Sequence, residues 1–248
     1  MKWEKRVKEH YDFVCKKYGE NNVFFVTLYG SQNYGLDTPE SDVDTKAVVF
    51  LPGDELVWGE SLSVEEHLEN GEHCEVKDLV SFCRCLAKQN LNFLEVFASK
   101  AIVVNPQYRK SFEEFQRVGQ QLVRYDMFKL LMSCGSQSRH HLQQFLNDPE
   151  HKVKQLVNSY RLAAYCRDMA AGLPFGQCVQ FRDSNRDELI RMKREGTYTA
   201  DFLDKLTVLL DEVAKATEEA KNTPRNEYAY NCMRGFCVQM YRRRLNGE

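Results

Sequence analysis

The sequence predicts an α/β (α+β) fold, a small mixed sheet followed by an all-helical domain. Three observations carry that expectation. Short runs rich in β-branched and aromatic residues, Val23 to Leu28 and Ala47 to Leu51, are bounded by Gly, Asn, Asp and Pro and read as strands. Val64, Glu66 and Leu68 alternate before Asn70-Gly71, and Cys74-Glu75-Val76 follows, the pattern of a hairpin with Asn-Gly at its turn. From Tyr108 onward the apolar residues recur at helical spacing. The change of pattern divides the chain into a first domain, 1–105, and a helical domain, 106–248.

Taken in order, Trp3, Val7, Tyr11, Val14 and Tyr18 stand three and four apart, an amphipathic helix that stops at Gly19 and Asn21-Asn22. The first strand ends in Tyr29-Gly30-Ser31, and a polar loop over 32–41 is punctuated by Gly35 and Pro39. A second strand runs from about Val43 to Leu51 and closes at Pro52-Gly53. Residues 78–98 read as helical, with Asp78 opening the run, Asn90 or Asn92 as a cap and Glu95 as a helix-start charge. Ala101 to Val104 is a short strand at a sheet edge, stopped by Asn105-Pro106. Five helices are expected over about 108–146, 152–171, 184–195, 199–221 and 225–245, with Gly135 dividing the first. Their separators are Asp148-Pro149, Gly172-Leu173-Pro174, Gly196 and Asn222-Thr223-Pro224.

The composition excludes several classes. At 248 residues, 43% hydrophobic and 28% charged, the chain has enough apolar surface for a real core. No apolar run is long enough to span a membrane, and the charged start Met1-Lys2-Trp3-Glu4-Lys5-Arg6 lacks the apolar stretch of a secretion signal, so a cytoplasmic location is expected. The nine cysteines are scattered without a Cys-x-x-Cys pair and read as reduced, buried thiols. Net charge is −2, but residues 1–100 carry 11 basic and 18 acidic side chains, leaving 23 against 18 for the remainder. An acidic half that holds a metal would then face a basic half able to meet phosphates.

The chemistry gathers in residues 23–46. Strand alternation sends Asp42 and Asp44 to one face and Val43 to the other. Two adjacent carboxylates resist joint ionisation unless a cation lies between them, and oxygen donors suit Mg²⁺. Gly30-Ser31 at a strand end lets backbone N–H groups approach a phosphate. A phosphate cradle beside paired acids points to a metal-dependent enzyme acting on a nucleoside triphosphate. Glu75 faces opposite to Cys74 and Val76, and it becomes a third carboxylate if its strand lies beside that of Asp42 and Asp44; Glu72 and Asp78 compete less well.

Gly30-Ser31, Tyr34-Gly35 and Ser41-Asp42-Val43-Asp44 together resemble the signature of the DNA polymerase beta-type nucleotidyltransferase superfamily. Lys88-Gln89-Asn90-Leu91-Asn92-Phe93-Leu94-Glu95 is similar to a stretch in one branch, the RNA-ligase-associated predicted nucleotidyltransferases and their phage and bacterial relatives. The resemblance implies a nucleotidyltransferase domain over 1–105, with the helical domain completing the nucleotide and acceptor cleft. It implies catalysis of the EC 2.7.7 type by Asp42, Asp44 and Glu75 holding two Mg²⁺ or Mn²⁺ ions on an NTP such as ATP, with Gly30, Ser31, Ser41 and Lys88 on the nucleotide. Lys154 and Arg161, seven apart on one helix face, match a Lys and an Arg that would clamp the triphosphate; solvated helix charge is the alternative. Arg139, Arg167 and Lys193 are weaker candidates, and Arg242-Arg243-Arg244 could touch RNA. Thr45-Lys46 departs from the closer branch, where an acid and an Arg follow the acid pair. The implied acceptor is an RNA 3′ end, tRNA-like. A protein hydroxyl, as in AMPylating or toxin-type members, ranks second and a small molecule third. An inactive nucleotide-binding sensor is the non-enzymatic reading.

Overall fold

The computed structural model describes residues 2–148, 152–181 and 184–247. In the first part, helix α1 (Lys2–Tyr18) precedes strand β1 (Val23–Tyr29), the short α2 (Ser31–Tyr34), β2 (Asp44–Val49) and α3 (Gly53–Val57). The hairpin β3 (Ser63–His67) and β4 (His73–Asp78) follows, then α4 (Leu79–Ala87), α5 (Leu91–Leu94) and β5 (Ile102–Val104). The rest is helical: α6 (Arg109–Leu122), α7 (Met127–Asn147), α8 (Val153–Ala170), α9 (Phe175–Val179), α10 (Arg186–Glu195), α11 (Ala200–Ala220) and α12 (Glu227–Leu245). Pro149, a predicted separator, lies outside the described residues.

The strands form one sheet in the order β3-β4-β2-β1-β5. It is mixed because β2 and β4 run parallel while the other pairs are antiparallel. The sheet's two faces differ in what covers them. On one, Val7, Tyr11 and Val14 of α1 pack on Val26, Leu28, Cys74 and Val76. On the other, Phe24, Phe25, Val48 and Phe50 enter a core shared with helices on both sides of residue 105. Its centre is aromatic: Phe25 meets Phe82 edge-on at 5.9 Å and Phe112 at 5.1 Å, each such pair contributing about 0.5–1.5 kcal/mol beyond its buried area. The acids described below stand at the open end of this second face.

Helix α8 is buried nearly all round, as a helix without a polar face must be, and α7, α10 and α11 pack against it. Gly135 does not divide α7. The helix runs through it, and a Cβ there would lie 3.2 Å from Val213 Cγ1, so it is a close-packing position. The break falls earlier, at 123–126, where the Asp126 carboxylate caps α7 by accepting the Lys129 N–H at 3.0 Å. Glu95 does open a short helical turn, Glu95–Ala98, but it is not a solvated charge there. It is buried at 1% exposure and forms an ion pair with Arg161. Arg244 is spent internally, donating to Asn21 O at 2.7 Å and Asn22 Oδ1 at 2.6 Å.

Gly119 in α6 packs directly on the Phe97 ring; an added Cβ would fall 1.9 Å from Phe97 Cε1. Overpacking of this kind costs about 1–3 kcal/mol. Gly119→Ala is therefore expected to lower the urea midpoint with an unchanged m-value, and a wild-type midpoint would show that the contact relaxes freely.

Candidate active site

The site begins where β1 ends. The chain turns through Gly30 at φ 77°, a conformation that suits glycine. Space imposes the same choice, because a Cβ on Gly30 would lie 2.6 Å from Asp44 Oδ2. The antiparallel register brings these groups together by placing Tyr29 opposite Asp44.

The segment Asp42-Val43-Asp44 is also held from behind. Val43 is buried on the α1 face, and its N–H donates to Glu72 Oε1 at 3.2 Å. Glu72 accepts from Arg6 and from His10 Nε2 at 2.8 Å, and His10 Nδ1 lies 2.7 Å from Thr45 Oγ1. Burial pushes the Glu72 carboxyl up, but the His10 and Arg6 bonds outweigh it and hold the group below the ordinary range. Helix α1 thus serves as the rear support of the acid pair.

Gly30, Ser31, Ser41, Asp42 and Asp44 line a cleft of about 460 Å³, which Lys154 and Arg161 of α8 and Lys193 of α10 also line. Burial pushes the Asp44 carboxyl up, and the neighbouring Asp42 pushes it further. Among the described residues neither acid has an ion-pair partner. A half-buried Asp44 beside an exposed Asp42, neither of them ion-paired, fits a hard divalent cation, which would relieve their repulsion and take oxygen donors. Lys193 is pushed down by burial and by Lys154, and it donates to Leu36 O at 3.1 Å and Ser41 Oγ at 3.4 Å.

Arg161 differs from the two lysines. Its guanidinium lies 3.8 Å over the Tyr34 ring and bonds Glu95 at 3.0 Å. Burial opposes its charge, but Tyr34 and Glu95 outweigh it and keep the group protonated. Its buried Nε has no acceptor among the described residues and so remains available to a ligand.

Glu75 lies on the face of Asp44. The parallel register sets it opposite Lys46, two residues on from Asp44, and both acids line an adjoining groove of about 360 Å³. The Lys46 ammonium bonds Glu75, and Lys77 Nζ is 3.2 Å from it. Burial raises the Glu75 carboxyl, but the two lysines outweigh that and hold it ionised below the ordinary range. Lys88 is exposed at the end of α4 and is not among the cleft-lining residues. Asn158 of α8 and Gln137 and His141 of α7 also line the cleft, and sequence reasoning did not single them out as site residues. Burial pushes the His141 imidazole down, and its Nδ1 lies 2.6 Å from Gln155 Oε1.

A mixed sheet carrying a Gly-Ser turn beside paired acids, closed by a helical region, defines a nucleotidyltransferase of the DNA polymerase beta type. Residues 4–232 match the RlaP family, the RNA repair pathway DNA polymerase beta family, and this chain belongs to it. A solved structure of a nucleotidyltransferase-like protein from Exiguobacterium sibiricum 255-15 is 11% identical, over 84% of this chain and 73% of that one. Its TM-score is 0.31, too low to add to the family assignment. No protein of curated function matches the chain. Among the described residues no helix is long and apolar enough to cross a membrane.

Gly30→Ala combines backbone strain with a collision on Asp44. It is expected to reduce nucleotidyl transfer by about 100-fold, the scale of a misplaced reacting group. Circular dichroism should show the fold retained; activity near wild type would mean that the close approach is incidental. Glu72→Ala leaves Arg6, His10 and the Val43 N–H without their acceptor. Loss of about 1–3 kcal/mol is expected in urea unfolding, and unchanged stability would remove the rear support from the account.

Proposed function

We propose that the chain transfers a nucleoside monophosphate from an NTP to the hydroxyl at an RNA 3′ end. The observation that carries this reading is the pair of unpartnered acids, Asp42 and Asp44, in one cleft with Lys154 and Lys193. Membership of an RNA-repair family supports RNA as the acceptor.

Asp42 and Asp44 would hold a divalent ion, Mg²⁺ or Mn²⁺, with Glu75 as the third acid once it gives up an ammonium contact. When bound, such ions neutralise the phosphate charge and ease loss of the acceptor proton. The chain's own groups do the rest by position. The Gly30-Ser31 turn, Ser41, Lys154 and Lys193 would bind the triphosphate, and Arg161 would offer its Nε. The acceptor oxygen forms a bond to the α-phosphorus, the bond to the bridging oxygen breaks, and pyrophosphate leaves with that electron pair. The hydroxyl proton passes to solvent. Positioning and charge stabilisation suffice for such a displacement, without a covalent enzyme intermediate.

The test is incubation of the purified chain with each labelled triphosphate, Mg²⁺ or Mn²⁺, and total RNA. Label is expected in RNA, and Asp42→Asn or Asp44→Asn should lower it by at least about three orders of magnitude, the scale of a lost charge-stabilising group. Label in protein would redirect the reading to a protein hydroxyl. Bound nucleotide without transfer would make the chain a sensor.

A further inference from the structure

The same sheet face carries a second cluster of metal-ligand side chains, outside the cleft. The antiparallel register of β3 and β4 sets Glu65 opposite Glu75 and His67 opposite His73. Alternation then places all four side chains on one face, while Cys74 and Val76 point into the α1 core. His73 Nδ1 is 2.9 Å from Glu65 Oε1, and the rings of His67 and His73 have centroids 4.6 Å apart at 67°. Each of Glu65, His67 and His73 offers a donor atom within 4.8 Å of those of the other two.

We propose that Glu65, His67 and His73 form a binding site for a transition-metal dication of the zinc type. The donor set decides the class. Two imidazole nitrogens and one carboxylate suit Zn²⁺, Co²⁺, Ni²⁺ or Cu²⁺, whereas Mg²⁺ takes oxygen ligands and would prefer the all-carboxylate pair Asp42 and Asp44. Three protein ligands leave a position open to water or to a substrate group. Two ligands come from one strand and one from its hydrogen-bonded neighbour, so the ladder itself holds them in register. The ion would clip β3, an edge strand, to β4.

Location gives the site consequence. Glu65 and His73 line the same groove as Asp44 and Glu75. The chain would therefore carry two divalent-ion sites of different chemistry around one groove, and each can be emptied without the other. This assignment rests on the hairpin alone and stands or falls independently of the transfer reaction.

The test is titration of the chelator-treated full chain with Zn²⁺ in excess Mg²⁺, followed by calorimetry, and with Co²⁺, followed by its visible absorption. One equivalent of Zn²⁺ is expected to bind despite the Mg²⁺. His67→Ala, His73→Ala and Glu65→Gln are each expected to weaken binding by about tenfold or more, since even outer-shell partners cost that much. Asp42→Asn should retain it. Glu65 and His67 are exposed and His73 is half-buried, and circular dichroism checks that each variant folds. Absence of binding in the wild type would overturn the site, as would full binding in both His variants. Zn²⁺ binding abolished by alkylating the half-buried Cys15, Cys85 and Cys232, and indifferent to the His changes, would also overturn it.

Discussion

The seating of the Asp44 carboxylate against the backbone of Gly30 is the constraint on which the rest of the site depends. It fixes how near the acid pair comes to the turn that would receive a phosphate, and it leaves no room for a side chain at position 30. The register of β1 on β2 creates the contact, and the Glu72 bond to the Val43 N–H prevents the acids from drifting away. Burial pushes the Asp44 carboxyl up, and repulsion from the neighbouring Asp42 carboxylate adds to it. The fold therefore stores an unfavourable arrangement that a cation would relieve. Buried aromatic packing beneath the sheet and the α1 network behind it hold that arrangement in place.

Arg161 illustrates how magnitudes sort the cleft's cations. Removing a guanidinium and a carboxylate from water costs several kcal/mol per ion, which the Arg161–Glu95 bond and the Tyr34 ring must offset. That charge is already compensated, so its net attraction for a triphosphate is smaller than its position suggests. Lys154 and Lys193 carry the uncompensated charge. The Arg161–Glu95 pair also joins the last part of the sheet region to α8, so it orients the helix that presents Lys154.

Much of the fold was legible because its signals are local. Asn70-Gly71 announced the hairpin, the Asp78 carboxylate does open α4, accepting the Ser81 N–H at 2.8 Å, and Asn90 caps α5. Asp44 opens β2 and Glu75 falls on the strand beside it, whereas Asp42 precedes the strand, so alternation does not account for its place in the cleft. What was not legible depends on long-range packing. Glu95 looks like a surface charge until α8 brings Arg161 to it. Glu72 looks like a turn residue until α1 brings His10 and Arg6. Gly135 looks like a helix break until α11 packs against it. Lys193 reaches the cleft only because α10 folds back over the loop between α2 and β2, where its ammonium meets Leu36 O and Ser41 Oγ.

Those tethers bear on why the cleft does not close on itself. Opposite unit charges 4 Å apart attract by about 4 kcal/mol at a protein surface, enough to draw free lysines onto the acids. Here Lys193 is anchored to a carbonyl and a hydroxyl, Lys46 and Lys77 are taken up by Glu75, and Asp44 is lodged against Gly30. The lysines are thus kept from Asp42 and Asp44 by neutral groups in the case of Lys193 and by Glu75 in the case of Lys46 and Lys77. On the proposed function, a triphosphate with its cation would answer both ends at once, the cation meeting the acids and the phosphates meeting the lysines. Because the separation exists before any ligand arrives, little reorganisation is needed when it does, which is the condition under which fixed charges accelerate phosphoryl transfer most.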